Sequence, residues 1–108
     1  MTYYPSERQS TTQSLSAITQ LVPSFYTIRV SGLGSAITIT AIPAITEGLH
    51  NQVLEILGTS DTNTVTFESS SSLVLTNSAP IELGNGDTLQ VKYLSDVGAW
   101  TEIARNVL

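Results

Sequence analysis

The feature that most constrains this chain is alternation at a period of two. Ala36-Ile37-Thr38-Ile39-Thr40-Ala41-Ile42 sets isoleucine against threonine in turn. A helix would scatter such residues around its circumference, whereas a strand sends successive side chains to opposite faces. Both residues are β-branched and suit a pleated, half-buried surface. The same texture continues on both sides. Phe25 to Val30, Gln52 to Leu57, Thr64 to Phe67, Leu73 to Leu75, Ile81 to Leu83, Thr88 to Leu94 and Ala99 to Ala104 all read as strands. Turn residues separate these runs: Gly32-Leu33-Gly34, Pro43, Gly48, Gly58 to Asn63, Ser69 to Ser72, Asn77 to Pro80, Gly84-Asn85-Gly86-Asp87 and Asp96-Val97-Gly98. Short strands at this rhythm predict an all-β protein, an antiparallel β-sandwich with a jelly-roll-like arrangement. Glu47 to Leu57 is the ambiguous stretch, because Leu49, Val53 and Leu57 also fit helical spacing. The Thr and Gly at its borders favour strand.

Residues 1–24 read differently. Thr2, Ser6, Gln9, Ser10, Thr11, Thr12, Gln13, Ser14 and Ser16 form a polar run with few apolar anchors. Leu15, Ile18, Leu21 and Val22 allow a helical turn or two, capped by Ser14 or Ser16 and ended by Pro23. The expectation is an extended N-terminal arm over 1–24, ordered by what it touches, on a β-domain over 25–108. The chain has 108 residues, enough for one domain with a modest core. It opens on Met1 without the basic and apolar regions of a signal peptide and reads as a complete short protein.

Charge narrows the partners. Only 12% of residues are charged, about half of what soluble domains carry, and Ser and Thr make up about a quarter of the chain. A hydroxyl-rich surface repels copies of itself weakly and suits association. The formal net charge is -5, and Arg8, Arg29, Lys92 and Arg105 are scattered. Nucleic acid and anionic lipid both require clustered cations, so neither is an expected partner. No apolar stretch approaches the length of a membrane-spanning helix. The chain has no cysteine, which excludes disulfides, Cys-zinc sites and thiol chemistry.

Motifs with chemistry are weak. His50 is the lone histidine, and no Gly-x-Ser-x-Gly elbow accompanies it. The carboxylates are dispersed, unlike a glycosidase pair. Gly84-Asn85-Gly86-Asp87 lacks the spacing and tandem copies of a calcium-binding repeat. It reads as a turn formed by Gly84, Gly86 and Asp87, with Asp87 bracing its own backbone. Gly32-Leu33-Gly34 lacks the Lys-Ser/Thr of a phosphate loop. Phe67, Tyr93 and Trp100 are candidate core or interface anchors; an exposed Trp100 would instead suit a sugar ring. Neither an enzyme nor a cofactor or metal site is expected.

The segment from Gly84 to Arg105 runs Gly-Asn-Gly-Asp-Thr-Leu-Gln-Val-Lys-Tyr-Leu, a turn, then Trp-Thr-Glu-Ile-Ala-Arg. It resembles the closing hairpin of small β-modules in tailed-phage structural proteins. Asn63 to Phe67, Ser72 to Leu75 and Ile81 to Leu83 resemble the earlier strands, so the likeness spans roughly 47–106. It implies a homotrimeric capsid decoration (cement) protein, made in the host cytoplasm and bound to the outer surface of the virion's head. Its partners would then be copies of itself and the major capsid protein. Tail-fibre or baseplate modules that hold host glycan share the pattern. A chain this short suits addition to a finished shell better than a fibre. On this reading Tyr3, Tyr4, Pro5 and Arg8 are the anchors of a capsid-binding arm, and Arg105 pairs with Glu102 or with a neighbour's carboxylate.

Overall fold

The computed structural model describes residues 10–23 and 26–108. They form the strands β1 (Ser10–Leu15), β2 (Thr27–Gly32), β3 (Ile37–Thr38), β4 (Val53–Gly58), β5 (Val65–Phe67), β6 (Leu73–Val74), β7 (Ile81–Leu83), β8 (Thr88–Leu94) and β9 (Ala99–Asn106). One short 3-10 turn, Thr76–Ser78, lies between β6 and β7. The strands build a six-stranded sheet in the order β1-β2-β4-β8-β9-β6 and a three-stranded sheet in the order β3-β5-β7. The chain is thus the all-β, two-sheet sandwich that the alternation predicts.

Each sheet turns one side of its pleat to a shared core. Ile28 and Val30 of β2, Leu54 and Ile56 of β4 and Leu89, Val91 and Tyr93 of β8 face inward from the large sheet. Val65 and Phe67 of β5 and Ile81 and Leu83 of β7 meet them from the small one. Full burial of such a side chain stabilises by about 1.5–3 kcal/mol. β8 alternates buried and half-buried without a fault along its length.

The pairing is mixed, where the expectation was antiparallel throughout. β1–β2, β2–β4, β3–β5 and β6–β9 are parallel, and β4–β8, β5–β7 and β8–β9 are antiparallel. The cause is the path of the chain. From β2 to β8 it crosses between sheets at every step, so β2 and β4 meet only after an excursion through β3. β2–β4 and β3–β5 pair parallel after one passage through the other layer, β5–β7 pairs antiparallel after passing through β6, and the β8–β9 hairpin reverses directly. β8–β9 is the hairpin that closes the large sheet, with a bulge between Gln90 and Val91.

The arm expected over 1–24 divides. Residues 1–9 lie outside the described residues. Residues 10–15 are β1, paired along its length with β2 at the rim of the large sheet, and Leu15 and Leu21 are fully buried. The predicted helical turn is a single hydrogen-bonded turn at Ser16–Thr19, with the two hydroxyls 2.8 Å apart. The segment then rejoins the body, where Leu21 bridges to Ile45. The long alternating run at 36–42 contributes only Ile37–Thr38 to a ladder. Ile39 still bonds to Thr66, but Thr40 and Ala41 turn their amides to Ala17. Within 47–57 the strand begins at Val53, because Asn51 takes a positive φ of 68° that interrupts either regular structure.

Candidate functional site

Strand direction gives the sandwich two ends. β1, β2 and β4 start at one end, where β8 finishes and β9 begins; at the other, β4 finishes and β8 starts. The two ends are built from different chemistry.

At the second end the Gly84–Asp87 turn is held by carboxylates. Oδ2 of Asp87 accepts the Gly84 amide at 2.8 Å and its Oδ1 accepts the Leu108 amide at 2.9 Å, while the residue itself is buried. Asp61, which sequence reading did not single out, accepts the Asn85 amide at 2.8 Å from across the loop. Gly86 sits at φ 90°, a conformation costly for other residues. A side chain at Gly58 would collide with the Gly84 carbonyl, so at that point backbone meets backbone.

At the first end lie Val22, Pro23, the 42–52 segment and the 95–98 turn. Gln52 binds them: its side-chain oxygen accepts the Leu49 amide at 2.8 Å and its nitrogen donates to the Pro23 carbonyl at 3.1 Å. His50 Nδ1 accepts the Ser95 amide at 3.1 Å and lies 2.9 Å from its hydroxyl. The amide bond makes this nitrogen an acceptor, and the contact splices the 49–52 loop to the 95–98 turn. Among the described residues no carboxylate bonds to His50. Nor is any group of three or more His, Asp or Glu placed to hold a metal ion.

Apolar side chains stand out from this end. Ile42 is 76% exposed, Leu49 77% and Val97 66%, and Val22 is also exposed. Beside Ile42 lies a groove of about 320 Å³, lined by Ile42, Pro43, Tyr93, Gly98 and Trp100. Glu47 is the carboxylate in its wall. Trp100 is only 1% exposed, its indole N–H donates to the Thr46 carbonyl at 2.9 Å, and its ring meets Tyr93 edge-to-face at 5.2 Å. The indole therefore offers no open face to a sugar. Burial, and then the charge and hydrogen bonding of Glu47, push the Tyr93 hydroxyl above its ordinary value, so it stays a protonated donor. Phe67 lies in the deep core opposite Ile81, away from the groove.

Arg105 pairs within its own chain. Its Nε and Nη2 meet the two oxygens of Glu102, each at 2.7 Å, and its other contacts are the Ala79 carbonyl at 2.9 Å and the Pro80 carbonyl at 3.2 Å. Glu102 also accepts the Thr76 amide at 2.9 Å. The pair thus clips the 76–80 crossing to β9. Hydrogen bonding to Arg105 holds the Glu102 carboxyl below its usual range despite burial, and the reciprocal bond raises Arg105.

The structure brings Tyr93 and Trp100 together, and sets Gly84, Gly86 and Asp87 in the turn at the opposite end. Tyr3, Tyr4, Pro5 and Arg8 lie outside the described residues. The residues missed from sequence are Ile42, Leu49, Val97, Glu47 and Gln52. The available signal was apolar residues beside Pro43, Gly48 and Gly98, inside turns where polar ones are usual. Comparison with protein-family models, with curated proteins and with solved structures gives no match.

Proposed function

We propose that this chain is a structural virion protein, a homotrimeric capsid decoration protein that binds the outer surface of a phage head and stabilises it. The observation that carries the reading is the apolar end. Ile42, Leu49 and Val97 stand out on loops tied down by Gln52 and His50. Apolar groups on a pre-ordered surface favour contact with another protein, because little ordering entropy remains to be lost. Such a protein performs no reaction; its partners are its own copies and the major capsid protein, with neither nucleic acid nor membrane. Three linked copies gain avidity on a shell without stronger single contacts. The runner-up, a tail-fibre or baseplate module for host glycan, is less well supported because Trp100 is buried.

Sedimentation of the full chain and its binding to phage heads stripped of accessory proteins test the reading. A trimer that coats heads, and a Leu49→Ser/Val97→Ser variant that folds but no longer coats them, is the expected result. A strict monomer at micromolar concentration that ignores heads overturns it, and binding to a glycan array instead would favour the module reading.

A further inference from the structure

The sheets end on unequal strands. β6, at one rim of the large sheet, has two residues, and the outer strands of the small sheet, β3 and β7, have two and three. β1, at the other rim of the large sheet, has six, Ser10-Thr11-Thr12-Gln13-Ser14-Leu15, paired to β2 in unbroken register. The Leu15 carbonyl accepts the Leu33 amide at 2.8 Å, which fixes the phase of this ladder. In a parallel pair alternate residues turn their backbone groups to the neighbour, so Thr11, Gln13 and Leu15 face β2. Ser10, Thr12 and Ser14 turn their N–H and C=O groups outward. Among the described residues none of these outward groups has a partner, and all three side chains are exposed.

An open strand is a template for another strand, and proteins commonly guard such edges with charge, proline or a bulge. β1 has none of the three. It is also tied to the segment that follows it, since the Gln13 side chain donates to the Val22 carbonyl at 3.3 Å and Leu15 and Leu21 are buried. An edge fixed in this way loses little entropy on pairing.

We infer that the β1 edge pairs antiparallel with the β1 edge of a second copy, about a two-fold axis at Thr12. A second copy is the occupant that fits, because the strand is its own complement. With Thr12 opposite Thr12, each Ser10 lies opposite a Ser14. Each pair exchanges two bonds, and every outward group on both strands is satisfied. β3, β6 and β7 are too short to match it. The side chains that meet are hydroxyls, so no like charges are opposed. The contact buries little apolar surface, so it is weak between free molecules and gains strength between copies already held side by side. It goes beyond the capsid reading and does not rest on it.

The chain has no cysteine, so engineered thiols report the register. Opposed residues in such a pair have Cα atoms about 5.5 Å apart, within disulfide range. Full-length Ser10→Cys mixed with full-length Ser14→Cys is therefore expected to crosslink on mild oxidation, at protein concentrations well above micromolar. In either variant alone the equivalent thiols sit about 14 Å apart along the strands, and crosslinking is at least about tenfold slower. Equal rates in the mixture and in the single variants overturn the inference, as does the absence of any crosslink. Thr12→Pro removes an outward N–H and leaves the β1–β2 bonds in place, so the folded variant no longer associates in sedimentation. Unchanged association of that variant overturns the inference. If proline disturbs the fold, Thr12→Lys, which sets like charges together on the axis, gives the same reading. Sedimentation of the parent chain over rising concentration separates this contact from the capsid reading. Monomers that pair into dimers keep the edge contact and remove the trimer. Trimers that pair into hexamers support both, and trimers of constant mass remove the edge contact alone.

Discussion

The two ends of the sandwich solve the same problem with opposite means. Loops must satisfy their backbone groups somewhere. At the Gly84–Asp87 end, carboxylates do this, and Asp87 alone holds two amides that are far apart in sequence. At the Ile42–Val97 end, Gln52 and His50 do it, and Ile42, Leu49 and Val97 stand out beside them. Both ends expose apolar side chains, Leu33, Val107 and Leu108 at the second and Ile42, Leu49 and Val97 at the first, so what differs is the group that ties the loops. The lesson is that one backbone need is met by carboxylates at one end and by an amide and an imidazole at the other.

Substitutions sharpen the contrast. The largest effect is expected at Trp100, which anchors the floor of the apolar end: Trp100→Ala costs about 3–5 kcal/mol by denaturant unfolding. Asp87→Ala follows at about 2–3 kcal/mol, because two charge-assisted bonds are lost and the Gly84 amide is left buried. If that variant unfolds at the same denaturant concentration as the parent, the carboxylates are not what holds their end. Gly48→Ala puts a methyl group 2.5 Å from the Trp100 ring and costs about 1–3 kcal/mol in the same assay. Leu49→Ser is expected to change stability by less than about 0.5 kcal/mol, as exposed sites do. A large loss there would mean that the apolar end is packed against its own chain.

Acid sharpens the comparison from a third position. The Glu102 carboxyl is held below its ordinary 4.5, so the folded state favours its charged form. Its contribution is complete above that value and is lost as pH falls through the lower folded one. Thermal melting across acid pH should therefore drop below about pH 4.5, and Glu102→Gln should flatten the drop. Tyr93 has the opposite sense. Its raised hydroxyl contributes stability below 10.0 that disappears as pH rises past that value.

Strand identity was legible wherever alternation and a turn signal agreed. β7 and β8 have the bounds read from sequence, because Gly84 to Asp87 and Asp96 to Gly98 stop them. β1 was not legible, since Ser10 to Ser14 has no apolar member and its place depends on pairing with β2. Only Leu15, buried at its end, hints at it. Parallel pairing was illegible for a related reason: alternation reports which face a side chain takes and is silent on neighbour direction. At the candidate site, the Asp87 brace followed from turn chemistry, whereas Asp61, twenty-four positions from its partner Asn85, could not be placed by local reasoning.

The crossing path of the chain bears on how the protein tolerates cutting and fusion. Because β2 to β8 are stitched through two layers in turn, neither sheet is a contiguous stretch of sequence, and no internal fragment contains a complete face. Removal of any middle segment pulls thread from both layers at once. Insertions belong at the outer tips, such as the 95–98 turn, where the weave reverses without changing layers.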